Sequence, residues 1–166
     1  MKSSCKHMIF VLFLMNIALH SEAQSAAFKA LLNTIYDKDF PLVQHTDSVL
    51  IQNAILLDTR ELEEFEISHL QGAQWVGYNT FTLKNVSHIP KDSLIVVYCS
   101  VGARSQDIGK RLKQAGYKNV YNLYGGIFHW VNEEKPIVKD QSLVTDEVHT
   151  FNKTWGMWVK KGKKVY

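Results

Sequence analysis

The sequence predicts an α/β domain, a central parallel β-sheet with helices on both faces. Three observations predict it. Leu94–Tyr98 (LIVVY) is a short, continuous apolar run rich in β-branched residues, which suits a strand buried on both faces. Asn53–Thr59 (NAILLDT) is a second such run, with the carboxylate of Asp58 at its exit. Helical patterns alternate with these and weaker strand patterns in the order β-α-β…β-α-β-α, which implies parallel pairing through helical crossovers.

The first 23 residues stand apart from this domain. Lys2 and Lys6 make a positive beginning, Met8–Leu19 is apolar apart from Asn16, and Ser21-Glu22-Ala23 places small residues at −3 and −1 of a cleavage site. That is the pattern of a secretory signal peptide cleaved after Ala23, and the apolar run is short for a membrane span. The protein is therefore expected to be exported, to a periplasm or the exterior, without stable membrane insertion after cleavage. Cleavage would remove Cys5 and leave Cys99 as the only cysteine, so no internal disulfide could form. At 46% hydrophobic and 21% charged, the rest has the makeup of a core-forming domain, and 166 residues suffice for one domain but hardly two.

Residues 24–41 read as a helical lead-in. Phe28, Leu31, Leu32 and Ile35 recur at helical spacing within Ser25–Tyr36, and Asp37-Lys38-Asp39 followed by Pro41 ends the run. Pro41–Val43 is a candidate edge strand and Asp47–Gln52 a turn of helix. Glu61–Ile67 predicts a short helix with Leu62 and Phe65 facing inward; its acidic start at Glu61, Glu63 and Glu64 complements the helix dipole. Ala73–Val76 is a short strand and Gly77–Asp92 is loop-rich. A helix over Gln106–Ala115 buries Ile108 and Leu112, leaves Lys110, Arg111 and Lys113 solvated, and stops at Gly116. Val120–Leu123 is a strand, Gly125-Gly126 a break, and Ile127–Glu134 a helix. Residues 139–166 form an extension with Phe151, Trp155, Trp158 and Val159, expected to pack back on the domain, and with Lys160, Lys161, Lys163 and Lys164 as a solvated end.

The chemistry is expected at Cys99. It leaves the Leu94–Tyr98 strand into a polar loop that contains Gly102 and ends at Arg104. In parallel sheets ligands gather at the carboxyl ends of strands, and Cys99 and Asp58 share that rim. A thiol attacks as its thiolate, a form favoured by a helix N-terminus and by neighbouring positive charge. The loop amides can turn inward as an anion-binding nest, and Gly102 tolerates the backbone angles such a nest needs.

Three segments carry a family resemblance. Leu56–Val76 (LLDTRELEEFEISHLQGAQWV), the loop Cys99–Ser105 (CSVGARS) and Ala115–Trp130 (AGYKNVYNLYGGIFHW) stand in the order found in single-domain rhodaneses. The chain resembles that sulfurtransferase family over residues 42–138. The resemblance implies the family's three-layer α/β fold and a Cys99 persulfide, loaded by a small donor such as thiosulfate and unloaded by cyanide, a thiol or a protein thiol client. It implies that Ser100, Val101, Gly102, Ala103 and Arg104 bind the substrate sulfur, with Arg104 holding the anionic donor. No metal, organic cofactor or nucleic acid is implied.

Asp58 and Arg60 read as structural, an ion pair or hydrogen-bond clamp that fixes the rim, His69 as a turn residue bonded to backbone, and His129 as helix surface. Gly125 and Gly126 serve backbone geometry and Trp130 packs. Thiol phosphatases and arsenate reductases, the rival enzyme class, use a Cys-to-Arg loop one residue longer. The four residues between Cys99 and Arg104 favour a single sulfur over a tetrahedral oxyanion. A non-catalytic binding module would be marked by loss of the cysteine, which is present.

Overall fold

The computed structural model describes residues 26–140 and 142–166; the expected signal peptide lies outside them. Two units are distinguished, one ending at Thr34 and a larger one, Ile35–Tyr166. Helix α1 covers residues 26–35, with Phe28 and Leu32 buried one turn apart, as the apolar spacing predicts. Among the described residues no helix is long and apolar enough to cross a membrane.

The larger unit is built on a five-stranded sheet of β1 (Leu42–Val43), β2 (Ile55–Asp58), β3 (Gln74–Trp75), β4 (Leu94–Tyr98) and β5 (Asn119–Leu123). All pairs are parallel, and the order is β1-β5-β4-β2-β3. The most apolar run, β4, takes the centre because both of its faces are covered. Ile95 and Val97 join a core cluster with Leu57, Ile108, Leu112 and Val120, and the alternate residues Val96 and Tyr98 are fully buried as well. Flanking helices are α2 (Ser48–Asn53), α3 (Leu62–Ile67), α4 (Ala103–Gln114) and α5 (Gly126–Asn132), with a short 3-10 turn at Leu83–Val86.

Two helices differ from expectation. α4 starts at Ala103, three residues early, because Gly102 adopts a left-handed φ of 101° and serves as the N-cap. Ala103 and Arg104 thus belong to the first helical turn. In α3 the inward residue is Glu64 (2% exposed), whereas Leu62 is 41% exposed. A capping box, Glu61 with Glu64, turns that carboxylate inward.

The C-terminal extension is ordered structure. β6 (Ile137–Lys139) pairs antiparallel with β7 (Leu143–Thr145), and β8 (Glu147–His149) pairs parallel with β9 (Lys163–Val165) around helix α6 (Lys153–Gly156). Val148 and Val159 are buried, and β8 packs against α3. Lys160, Lys161, Lys163 and Lys164 are exposed, as expected of a solvated end, and two of them make surface ion pairs. Lys163 lies in β9 and pairs with Glu147 at 2.6 Å, and Lys161 pairs with Glu134 at 2.7 Å. Phe151 departs from the expected packing, for the residue stays 60% exposed. His129 is not helix surface: it meets the His45 ring edge-on at 4.9 Å and the Tyr124 ring at 5.5 Å.

Candidate active site

Cys99 follows directly on the last residue of β4 and is almost completely buried. The chain then makes the short turn Ser100–Gly102 and enters α4. Each carbonyl of Cys99–Gly102 is taken by a donor outside the loop's own turn. Cys99 O accepts from the Ile127 N–H (2.9 Å) and Ser100 O from the Phe128 N–H (3.1 Å), both in the first turn of α5. Val101 O accepts from the Tyr36 hydroxyl (2.7 Å), and Gly102 O from the Asn122 amide (2.9 Å) and the Gln106 N–H (3.1 Å). With the carbonyls so engaged, the amide edge of the loop is left for the sulfur. The Gly102 N–H donates to Cys99 Sγ at 3.1 Å. Hydrogen-bond donors and a helix N-terminus on one side of a sulfur make a seat for an anionic sulfur species.

Glycine is required at two places in this seat. A Cβ on Gly102 would overlap the Tyr36 hydroxyl and ring, besides being strained at its positive φ. A Cβ on Gly126 would overlap the Cys99 carbonyl oxygen, so α5 could not approach closely enough to take that carbonyl.

Arg104 faces inward but is already engaged. Its guanidinium grips Glu64 with both arms, Nη1 to Oε2 at 2.7 Å and Nη2 to Oε1 at 2.9 Å, and also donates to Ser100 Oγ at 3.0 Å. Ser100 Oγ donates in turn to Glu64 Oε1 at 3.0 Å. Burial alone would push the Glu64 carboxyl up. The hydrogen bonds and charge of Arg104, then the charge of Arg60 and the Glu61 N–H, outweigh it and hold the carboxyl below its usual range. The charge that the sequence reading offers to an anionic donor is thus largely answered by Glu64.

Asp58 and Arg60 form the buried rim pair. Arg60 Nη2 reaches Asp58 Oδ2 at 2.6 Å and the Ser68 carbonyl at 2.6 Å, with both side chains fully buried. They fix the turn after β2 and do not line the cavity over Cys99. The His69 Nδ1–H donates to the Phe65 carbonyl oxygen at 3.0 Å, and its ring stacks on that of Phe65. No group of three or more His, Cys, Asp or Glu side chains among the described residues is arranged to hold a metal ion.

Four residues that sequence reasoning left aside complete the site. Tyr36 donates to Val101 O and accepts from the Gly125 N–H at 2.6 Å, tying the sulfur loop to the α5 turn. Asn122, fully buried on β5, holds Gly102 O and accepts from Ser105 Oγ at 2.7 Å. A polar residue within the strand pattern Val120–Leu123 was the available signal for Asn122. The third and fourth are Phe151 and Trp155 of the extension. They wall a cavity of about 220 Å³ whose floor is Cys99, with Val101, Ala103, Arg104 and Phe128 around it.

The rhodanese-like domain model matches residues 21–133, more than half of the chain. The chain belongs to the rhodanese-like family. A rhodanese-like relative, the thiosulfate sulfurtransferase GlpE of Haemophilus influenzae, is 35% identical over 94 residues, 57% of this chain and 89% of that protein. The probable adenylyltransferase/sulfurtransferase MoeZ of Mycobacterium tuberculosis is 32% identical over 82 residues. That alignment takes in 49% of this chain, which spans only about a fifth of MoeZ, 21% of its length. Among solved structures, the rhodanese-like domain of the Anabaena protein Alr3790 superposes with a TM-score of 0.55 at 21% identity, covering 61% of this chain and 80% of that one, a likeness of fold. The five-stranded parallel sheet and flanking helices are accordingly those of the rhodanese-like fold, as the sequence motifs imply.

Proposed function

We propose that this chain is a sulfurtransferase that carries sulfane sulfur as a persulfide on Cys99. The Cys99 thiolate attacks the outer sulfur of a donor such as thiosulfate. The new Sγ–S bond forms as the donor S–S bond breaks, and sulfite leaves with the bonding pair. An acceptor such as cyanide, a small thiol or a protein thiol then takes the terminal sulfur, and the Cys99 thiolate returns.

What carries this reading is the loop geometry: a buried thiol that already accepts the Gly102 N–H, in a turn whose four carbonyls are tied elsewhere. The added sulfur of a persulfide extends from Sγ into the cavity, toward the N-terminus of α4. The Ser100–Arg104 backbone cradles it. Arg104 acts chiefly through Glu64 and Ser100, as a brace of the loop. The GlpE relative, named for thiosulfate, supports the donor class. The leader-like residues 1–23 support an exported protein.

Intact mass after incubation with thiosulfate should show one added sulfur on wild type and none on Cys99→Ser, with thiocyanate formed only by wild type once cyanide is added. Equal turnover by the two proteins, or no added sulfur with any donor, defeats the proposal in favour of a binding module. For export, N-terminal sequencing of the secreted or periplasmic form should begin at Gln24; a retained Met1 rejects it.

A further inference from the structure

We infer that Phe151 and Trp155 are specificity-determining residues, and that they select sulfur compounds carrying an apolar substituent over small inorganic anions. The inference rests on the sulfur-carrier reading above and names the substrate class of that same site.

The cavity over Cys99 is lined by side chains from two parts of the chain. Val101 and Phe128 come from the sulfur loop and α5; Phe151 and Trp155 come from the extension, beyond the residues matched by the family model. Phe151 is held there against two costs. The residue remains 60% exposed, and its backbone has φ 64°, a left-handed conformation that a bulky residue rarely takes. The surroundings impose this conformation. The Phe151 N–H donates to His149 Nδ1 at 3.1 Å, and the next residue, Asn152, caps α6 by accepting from the Trp155 N–H at 3.0 Å. The Thr150 N–H is fixed to the Val165 carbonyl at 2.8 Å. The cap sets Trp155 one turn from Phe151, and the strained residue keeps its ring at the cavity mouth.

Charge argues the same way. Among the described residues Arg104 is the only charged one lining the cavity, and both arms of its guanidinium are on Glu64. A compact dianion entering this space would lose hydration without gaining a free cation, a penalty that rises steeply with charge. A monoanion whose charge sits at the reacting sulfur, and whose tail is apolar, meets the loop amides at one end and the aromatic wall at the other.

An organic thiosulfonate has that form and loads Cys99 in a balanced step. The thiolate attacks the terminal sulfur, the Sγ–S bond forms, and the bond to the sulfonyl sulfur breaks. The bonding pair leaves on the organic sulfinate, and the persulfide keeps one negative charge. No proton and no outside oxidant or reductant is required.

The test is the rate of sulfur loading on Cys99, followed by intact mass, with benzenethiosulfonate, butanethiosulfonate, methanethiosulfonate and thiosulfate, each divided by its rate with free cysteine. In wild type the normalised rates should rise with apolar size, the benzene donor exceeding the methane donor and thiosulfate by about tenfold or more, the worth of one or two aromatic contacts. In Phe151→Ala, and separately in Trp155→Ala, the benzene-to-methane ratio should fall about fivefold or more. A wild-type series that is flat or led by thiosulfate overturns the inference while leaving sulfur transfer standing, and it needs no variant to fold. A ratio unchanged within about twofold in both variants also overturns it. If no donor adds sulfur to Cys99, both readings fall together.

Discussion

Replacing Glu64 by Gln tests how the buried carboxylate organises the site. In the native protein this side chain is almost fully buried and takes both arms of Arg104, the Ser100 hydroxyl and the Glu61 N–H at 2.7–3.1 Å. The amide keeps the shape and removes the charge, leaving the Arg104 guanidinium without its counter-ion. Breaking a fully buried pair costs about 3–5 kcal/mol. The Arg104 side chain keeps 24% of its surface in water, so a discounted loss of about 2–3 kcal/mol is expected. For a chain of this size that lowers the melting temperature by roughly 4–12 °C. The loss depends on pH in a definite direction. The Glu64 carboxyl titrates below its ordinary range in the folded protein, so its stabilisation is complete above that range. It fades as pH falls through the folded value. Wild type and Glu64→Gln should therefore converge in stability toward acid pH. The freed Arg104 should also raise thiosulfate loading several-fold relative to an aryl thiosulfonate, since the cavity gains an unmatched positive charge. Calorimetry across pH and mass-resolved loading measure these effects. A variant that melts within about 1 °C of wild type at neutral pH, or a gap that widens toward acid pH, would refute the reasoning.

Other substitutions probe the loop and its supports. Gly102→Ala places a side chain against Tyr36 at a φ of 101°. A destabilisation of about 1–3 kcal/mol and slower persulfide formation are expected in urea titration and loading time courses; wild-type values in both would contradict the close-packed loop. Asp58→Asn strands the fully buried Arg60 guanidinium. It should cost about 3–5 kcal/mol in chemical denaturation, and an unshifted midpoint would mean the pair is not the brace described. Tyr36→Phe removes the hydroxyl shared by Val101 O and the Gly125 N–H. A loss of about 1–3 kcal/mol with slowed Cys99 loading is expected, and a variant matching wild type in both would show that the loop holds its shape without this tie.

The candidate site at Cys99 was legible because its determinants are local. A continuous apolar strand, a cysteine at its exit, a glycine and then a helix lie within one short segment, and backbone physics acts within such a segment. The Asp58–Arg60 pair was readable for the same reason, since two residues' separation across a strand exit allows the side chain to fold back on its neighbour. Glu64 was misjudged because helix periodicity ranks residues by polarity. A carboxylate turns inward only when a cation meets it, and Arg104 lies forty residues away. His129 was misjudged likewise; besides Tyr124 from the adjoining turn, its ring meets His45, which lies far away along the chain.

By itself the amino-acid sequence determined the parallel α/β architecture, the family and the cysteine, because strand burial, crossover order and loop chemistry are written in short-range patterns. Only the tertiary structure decided what surrounds the sulfur. It closed Arg104 onto Glu64, brought Tyr36 and Asn122 to the loop carbonyls, and set Phe151 and Trp155 over Cys99. Those contacts join residues distant along the chain, and their strength depends on burial and on which partner arrives, quantities that exist only once the chain has packed.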